Sequence, residues 1–253
     1  MKILIATPAY DASVTLEYLA SIVQLLDRFR AERPDVRFGI ETIAISVVHD
    51  ARNYFASLVL ADPTVTHLLF VDADMGFEPT LIMKLLDEDR EVAAASYPKR
   101  VLDLARVHRA ARQAGDPRLA LSRAAEHVGE GALLSPTTTI RVTQTGFTRV
   151  SAAGTGIMLI KRSVLERLRD AYPDLWIEAG HPDFRALRFT GGVLQCFLPI
   201  RSESGIYASE DLSFCRRWIE GCGGEVWLCL SEAVSHVGRI VVTSRFLDKL
   251  EAR

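Results

Sequence analysis

Four strand-length apolar runs, separated by segments of helical length, occupy the first hundred residues of this chain. The apolar runs lie at 2–6, 38–45, 68–71 and 91–97, and the helical segments between them lie at 13–32, 50–60 and 79–88. Parallel strands need a helix-length crossover between them, and such crossovers form right-handed βαβ units. The pattern therefore predicts an α/β fold around a mostly parallel sheet, whose strands present their carboxyl ends to a ligand crevice.

The first helical segment carries apolar residues at helical spacing. They are Val14, Leu19, Ile22, Val23, Leu26 and Phe29. An apolar stripe on an otherwise polar helix normally faces the protein core. We therefore expect these side chains to form the buried face of the helix.

The pattern changes beyond residue 100. Two short helices are predicted within 101–129, a β-hairpin around Gly146 over 140–152, a strand that runs into a helix over 156–168, a loop-rich stretch over 173–208, a helix over 209–220 and a strand over 225–230. The alternation at 140–152 predicts a small antiparallel ribbon beside the main sheet. The sequence has no internal repeat and no Ser/Pro-rich linker, so we expect one domain over residues 1–253.

Composition excludes several classes of function. The net charge of −2 predicts no broad attraction to nucleic acid or to an anionic membrane. No apolar run reaches the roughly 20 residues that a transmembrane helix needs, and the N-terminal run is too short for a signal peptide, so we expect a cytoplasmic protein. The four cysteines form no C-x-x-C pair, and we expect reduced thiols without a chemical role.

Two carboxylates follow the third apolar run directly, in the stretch LLFVDADMGF. Asp72 and Asp74 are separated by one alanine, so their side chains point to the same side if the chain stays extended. Paired carboxylates at a strand end suit Mg²⁺ or Mn²⁺, ions that commonly arrive with a substrate phosphate. The alternative is that the pair caps the helix that begins near Glu78 and Pro79.

Two later motifs also combine ionisable groups with a predicted element boundary. Ser209, Glu210 and Asp211 begin a predicted helix, where a serine N-cap and acidic residues that favour the helix dipole would be an ordinary structural arrangement. His236 follows the last predicted strand, within Ser235-His236-Val237-Gly238, and a core histidine is the structural alternative there.

Taken in order, these motifs resemble those of the GT-A class of nucleotide-sugar-dependent glycosyltransferases. The residues that carry the resemblance are Asp72-Ala73-Asp74 after an apolar strand, the stretch AGTGIMLIKRSVLERL at 153–168, the helix start SEDLSFCRRW and the late SHVG. The resemblance spans residues 3–238. It implies a GT-A, Rossmann-like fold with a nucleotide-binding half over 1–100 and an acceptor-binding half over 101–253.

The resemblance implies a hexosyltransferase that moves one sugar from a UDP- or GDP-sugar donor to a hydroxyl of a glycan or another acceptor, with no nucleic acid partner. Asp74 would bind Mn²⁺ or Mg²⁺ directly, Asp72 would reach the ribose or the water shell of the ion, and His236 would be a further ligand that favours manganese. Asp211 would be the general base of an inverting transfer, and Glu210 would orient the acceptor or a neighbouring side chain.

The resemblance also places nucleotide-binding residues at the same crevice. Thr7, Pro8 and Tyr10 follow the first strand and would hold the base or ribose. Asp50, Arg52 and Asn53 open the second helix, where "HDARN" resembles the helix start of a group of mannosyltransferases and Arg52 would bind phosphate. Lys99 or its neighbour Arg100 would face the diphosphate, and Gly154 and Gly156 would let the backbone pass close to the sugar.

These roles have structural alternatives, and the overall function has competitors. Tyr10 could be a surface residue, Arg52 a partner of Asp50, Lys99 a solvated cation, and the two glycines a tight turn. A nucleotidyltransferase would usually carry a basic Gly-rich loop after the first strand, which TPAYDAS lacks. An inactive glycosyltransferase-like binding protein is the third possibility. The Q-x-x-R-W motif of membrane-bound polymer synthases is absent, which favours the addition of a single sugar.

Overall fold

The computed structural model describes residues 1–133, 139–178, 180–201, 205 and 207–239. Its strands are β1 (Lys2–Pro8), β2 (Arg37–Ile43), β3 (His67–Val71), β4 (Met75–Phe77), β5 (Val92–Ala95), β6 (Phe147–Val150), β7 (Ile157–Lys161), β8 (Trp176–Ile177), β9 (Val193–Leu194), β10 (Ile200–Arg201), β11 (Tyr207–Ala208), β12 (Val226–Cys229) and β13 (Val234–His236). The end of the predicted domain, residues 240–253, lies outside the described residues.

The helices account for the crossovers that the sequence predicts. They are α1 (Leu16–Glu32), α2 (Val48–Ala61), α3 (Pro79–Asp87), α4 (Leu104–Ala114), α5 (Pro117–Ala124), α6 (Glu130–Leu133), α7 (Arg162–Ala171), α8 (Pro182–Ala186) and α9 (Glu210–Arg216), with a 3₁₀ turn at Pro173–Leu175 and a π-helical turn at Arg217–Gly221. None of the described helices has the length and apolar character needed to cross a membrane.

Seven strands form the central sheet in the order β2-β1-β3-β7-β5-β12-β6. β1 is parallel to β2 and β3, and β12 is parallel to β5. β7 runs antiparallel between β3 and β5, and β6 is antiparallel to β12 at the edge. The predicted α/β class with a mostly parallel sheet is confirmed. Among the described residues, three small antiparallel ribbons lie outside this sheet, formed by β4 with β13, β8 with β9 and β10 with β11.

The hairpin predicted at 140–152 is wrong. Only the second arm of the predicted hairpin is a strand, β6, and it pairs with β12, which is distant in sequence. Gly146, at φ 92°, makes the turn that the sequence indicates, and the Thr143 N–H donates to the Phe147 carbonyl at 2.7 Å. Before that turn the chain has no strand partner, and Val142 is exposed. The alternating pattern therefore reflects a partner distant in sequence.

Apolar residues cover both faces of the sheet. Along β3, Leu68 and Phe70 pack in one core cluster, while Leu69 and Val71 pack in the other. A strand that is buried on both faces has no solvent-facing positions, so it carries a continuous apolar run instead of an alternating one. This arrangement explains the LLFV stretch and places its carboxyl end in the middle of the molecule.

The buried face of α1 differs from the predicted one. Tyr18, Ile22, Leu25 and Phe29 are buried, whereas Leu19 and Val23 are about half exposed. The helix starts at Leu16, after the Thr15 N-cap, and its axis presents the i, i+4, i+7, i+11 series of Tyr18 to the sheet. Apolar spacing alone fits both series, and packing against β4 and α3 selects the one that contains Tyr18.

Two leucines on α1 test this assignment. We expect Leu25→Ala to lower the free energy of unfolding by about 2–5 kcal/mol, because it opens a cavity at a fully buried site. Leu19→Ala, on the exposed face of the same helix, should change it by less than about 0.5 kcal/mol. Urea denaturation followed by circular dichroism measures both values, and equal losses in the two variants would contradict the observed helix face.

Candidate active site

A cleft of about 870 Å³ opens at the carboxyl ends of β1 and β3. It is lined by Pro8, Tyr10, Asp11, Ser13, Val14, Thr15, Ile45, Ser46, Val48, Asp72, Ala73, Asp74, Arg100, Val237, Gly238 and Arg239. Most of these residues end or follow β1, β2 and β3, while Val48 begins α2, Arg100 follows β5 and the last three follow β13. Ligands of open α/β sheets bind at this edge, because the loops that follow neighbouring strands converge there.

A clamped turn holds the two aspartates at the end of β3, as the sequence predicts. The Asp72 N–H donates to the Gly156 carbonyl at 2.8 Å. The Ala73 carbonyl accepts from the Thr15 N–H, and the Asp74 carbonyl accepts from the Val237 N–H, each at 2.9 Å. The chain bends here instead of staying extended, so the two carboxylates reach different partners. The extended backbone on which the expected common orientation depended is therefore absent at this turn, although both aspartates line the cleft.

The Asp72 carboxylate binds the buried guanidinium of Arg52. Arg52, only 3% exposed, donates from Nη2 to both carboxylate oxygens at 3.1 and 3.2 Å, and its Nε lies 3.5 Å from an oxygen of Glu210. The guanidinium also lies over the Phe70 ring. Burial raises the pKa of Asp72, and the charge of Arg52 opposes that rise. Arg52 therefore joins Asp72 to Glu210, and it is not the free phosphate-binding group that the sequence predicts.

Asp74 faces the cleft between a guanidinium and an imidazole. The Arg100 Nη1 lies 2.6 Å from Oδ2, and the His236 Nε2 lies 3.5 Å from the same oxygen. Because carbonyls only accept, the His236 Nδ1–H donates to the Pro98 carbonyl at 2.8 Å. Nε2 is then the ring nitrogen that faces Asp74: when protonated it points its N–H at the carboxylate, and when neutral it would offer its lone pair to a cation bound there.

The same pair perturbs the titration of both groups. Burial lowers the pKa of His236, but its hydrogen bonds with Asp74 and Pro98 outweigh burial, so the pKa lies above its ordinary value. Burial raises the pKa of Asp74, but His236 and Arg100 lower it by more than burial raises it. The pKa of Asp74 therefore lies below its ordinary value. Within the described part of the chain, no three His, Cys, Asp or Glu side chains group as a complete cation site.

The remaining residues predicted around the first two strands divide between cleft and core. Pro8 and Tyr10 line the cleft, and Tyr10 is 72% exposed at its rim. Thr7 is fully buried, with its hydroxyl 2.6 Å from the Tyr18 hydroxyl, so it does not reach a ligand in the cleft. The reason is strand alternation, which directs Pro8 outward and Thr7 into the core.

The residues predicted in α2 and after β5 also divide between the cleft and other surroundings. Asp50 lies 3.6 Å from His49 in the first turn of α2. Asn53 is buried, and its Oδ1 accepts from the Phe197 N–H at 2.9 Å, so it ties α2 to a distant loop instead of lining the cleft. Lys99 forms an ion pair with Glu126, and its neighbour Arg100 is the cation that faces the cleft.

Gly154 and Gly156 make room for Tyr97, a residue that the sequence analysis did not single out. A Cβ on Gly154 would lie 2.1 Å from the Tyr97 hydroxyl, and one on Gly156 would lie 2.5 Å from the Met75 methyl and 2.8 Å from the Tyr97 ring. The Gly156 N–H donates to that hydroxyl at 3.2 Å, and the ring packs edge-on against His236. Burial raises the pKa of Tyr97, so the phenol stays protonated. Both glycines thus support the site from behind instead of contacting a ligand in the cleft.

The acidic pair Glu210 and Asp211 occupies the first turn of α9. Glu210 turns toward Arg52, as described above, with its side chain 18% exposed. Asp211 accepts from the Ser209 hydroxyl, and its Oδ1 also accepts from the Leu212 N–H at 2.8 Å. Through Arg52, α9 begins close to the end of β3. Arg52 therefore connects one acid of each motif, Asp72 and Glu210.

No known protein family matches the sequence of this chain, and no curated protein does either. Its structure is similar to that of a protein from STIV (15% identity, TM-score 0.47), with 94% of this chain and 87% of that one covered. It is also similar to a glycosyltransferase involved in the glycosylation of the major capsid of PBCV-1 (11% identity, TM-score 0.33), with 68% of this chain and 66% of that one covered. GalNAc-T7, solved with UDP, GalNAc and Mn²⁺ (14%, 0.43), is matched over 95% of this chain and 44% of its own length.

The link through Arg52 predicts a specific pattern of stability. Arg52→Met should lower the free energy of unfolding by about 3 kcal/mol, the low end for a broken buried pair, because Asp72 is 26% exposed. The second substitution in Arg52→Met/Asp72→Asn should restore part of that loss, since Asp72 no longer carries an unpaired charge and only Glu210 is left without its partner.

Arg33→Met is the control, because it breaks an ion pair with the exposed Asp87 and should cost less than about 1 kcal/mol. Urea denaturation of the four proteins gives the comparison. If Arg52→Met is no less stable than Arg33→Met, the buried link does not hold the site.

Proposed function

We propose that this protein is a glycosyltransferase that moves one hexose from a nucleoside-diphosphate sugar to an acceptor hydroxyl. The observation that carries the proposal is that Asp74 and Arg100 line the cleft in contact with each other, while His236 lies against the same oxygen of Asp74. The volume of the cleft, about 870 Å³, lies within the range of pockets that enclose a small-molecule ligand. Residues 1–100 contribute most of the cleft and would bind the donor, and residues 101–253 would bind the acceptor.

Asp74 and His236 fit a divalent cation. One carboxylate oxygen and one imidazole nitrogen, oriented by the Pro98 carbonyl, supply two donors, and donor phosphates and water would complete the shell. Mn²⁺ or Mg²⁺ held there would neutralise the charge of the departing diphosphate, and the imidazole favours Mn²⁺. Asp72, committed to Arg52, would meet the ribose or the water shell of the ion.

Two further cleft residues suit the donor. Arg100, 55% exposed, carries a planar fork of donors that matches phosphate oxygens, and it would exchange part of its contact with Asp74 for the diphosphate. Tyr10 stands at the rim with its ring exposed and would stack on the base. UDP- and GDP-sugars are the donor classes proposed, and nothing in the cleft favours one base over the other.

Asp211 would act as the general base of an inverting transfer. The acceptor oxygen would form a bond to the anomeric carbon while the bond from that carbon to the diphosphate breaks, and the hydroxyl proton would move to the Asp211 carboxylate. Glu210, held by Arg52, would orient the acceptor. The Ser209 hydroxyl fixes Asp211 for this role, since it donates to the carboxylate without protonating it.

Asp211→Asn tests the chemistry separately from binding. We expect turnover to fall by roughly two to four orders of magnitude, because the amide cannot accept the proton, while the affinity for the donor stays unchanged. Asp183→Asn, in the exposed first turn of α8, is the matched control and should leave both quantities unaltered. Donor turnover is measured by release of nucleotide, and affinity by calorimetry. Wild-type turnover in Asp211→Asn would leave that residue a helix-start group only.

Asp74→Asn tests the cation. In wild type, Mn²⁺ should strengthen the binding of UDP or GDP. In the presence of Mn²⁺ the variant should bind the nucleotide at least about tenfold more weakly than wild type, since even outer-shell changes at metal sites have an effect of this size. Asp11→Asn removes a carboxylate from the same cleft and should keep the response to Mn²⁺. Titrations with and without Mn²⁺ provide the measurement. Nucleotide binding that ignores Mn²⁺ in wild type would contradict the metal site but not the nucleotide cleft.

A further inference from the structure

Helices α4 and α5 pack against each other as a hairpin that contributes little to the core. No described side chain of α4 is buried, and in α5 only Ala120 and Ala124 are. The segment 101–125 is therefore an elaboration on the surface, held by its own helix–helix contact and by the neighbouring residues 126–130. Its surface composition is free of the demands of core packing.

This segment concentrates positive charge. Residues 101–125 contain five arginines and two aspartates, whereas the whole chain has a net charge of −2. Arg106 pairs with Glu130, and Arg118 lies 3.6 Å from Asp116. The other three, Arg109, Arg112 and Arg123, are exposed and form no ion pair with any described residue. Three exposed guanidinium groups thus lie on the hairpin without an ion-pair partner among the described residues, and only Arg109 interacts electrostatically with a nearby carboxylate, that of Asp103.

The same segment also carries exposed aliphatic side chains. Val101 and Leu104, at the start of the segment, are 71% and 72% exposed, and Leu102, Leu119 and Leu121 are also exposed. The segment has no Phe, Tyr or Trp, and its one aromatic ring is the imidazole of His108. Arginines mixed with exposed aliphatic groups are typical of surfaces that lie in the headgroup region of a bilayer, where the charge meets lipid phosphates and the apolar groups enter the acyl boundary.

We propose that the cationic hairpin, residues 101–125, docks this protein on an anionic lipid bilayer. Single-stranded nucleic acid is the less suitable partner, because its binding sites combine positive charge with aromatic stacking platforms, and the hairpin has no Phe, Tyr or Trp. The hairpin also begins directly after Arg100, which lines the cleft and contacts Asp74. Docking therefore brings the rim of the cleft close to the membrane surface.

Vesicle co-sedimentation tests the proposal without any activity measurement, so it does not depend on the proposed function. The probe is vesicles of phosphatidylcholine mixed with phosphatidylglycerol, compared with vesicles of phosphatidylcholine alone. Wild type should bind the anionic vesicles only, and added salt should weaken the binding because it screens exposed charges. Failure of wild type to bind anionic vesicles at low salt would overturn the proposal.

Two charge variants locate the surface. Arg109→Gln/Arg112→Gln/Arg123→Gln should lose roughly 100-fold in vesicle affinity, at about fivefold for each basic residue removed. Arg30→Gln/Arg37→Gln/Arg188→Gln changes the net charge by the same amount at exposed sites elsewhere and should bind like wild type. Equal losses in both triple variants would show a general effect of charge and overturn the assignment to the hairpin.

A third variant separates lipid from nucleic acid. Val101→Ser/Leu104→Ser keeps every arginine but removes the most exposed aliphatic groups, so it should weaken vesicle binding while both side chains stay at the surface. Single-stranded RNA provides the comparison. If this variant binds vesicles like wild type, and RNA binds wild type and competes with the vesicles, the hairpin is a nucleic acid surface and the proposal is wrong.

Discussion

The ionic link through Arg52 is the contact on which the candidate site depends. It joins α2 and the end of β3, which are consecutive elements of the chain, to the start of α9, which is distant in sequence. A buried guanidinium is costly unless charged partners satisfy it, so Asp72 and Glu210 must stay near it for the fold to keep it. The Nε–H of Arg52 forms no hydrogen bond with the described residues, and Glu210 lies 3.5 Å away. A small shift of the first turn of α9 would complete that bond, so a ligand that moves Glu210 would also act on Asp72.

Local sequence patterns predicted the elements whose burial is settled within one segment. The LLFV run identified β3 because both faces of that strand are covered, and the polar residues that follow it had to lie at the strand end. The crossover helices followed from their length and turn residues. The hairpin at 140–152 could not be predicted correctly, since β6 pairs with β12, almost eighty residues later, and local alternation does not identify a partner.

The same limit applies inside the site. The sequence predicted which acids follow β3 and which begin α9, but the partner of Arg52 depends on how the sheet brings those ends together. The glycines show this clearly. A glycine near a predicted sugar site suggests close approach of a ligand, yet Gly154 and Gly156 are required by Tyr97, which reaches them across β7 and β5. The sequence could have indicated Tyr97 as a site residue, because it ends the apolar run at 91–97 and stands close to Pro98 and Arg100.

The total charge of the chain does not describe the surface of the hairpin, and the reason is distance. Exposed charges interact over a Debye length of about 8 Å at physiological salt. Helix α4, with 11 residues, is about 16 Å long, so its arginines are screened from most of the acidic groups that make the total charge negative. A partner surface therefore meets the local charge of residues 101–125, and the sum over 253 residues carries no information about it. The interaction of a protein with a membrane is decided by the charges within one screening length of the contact, which only the folded arrangement specifies.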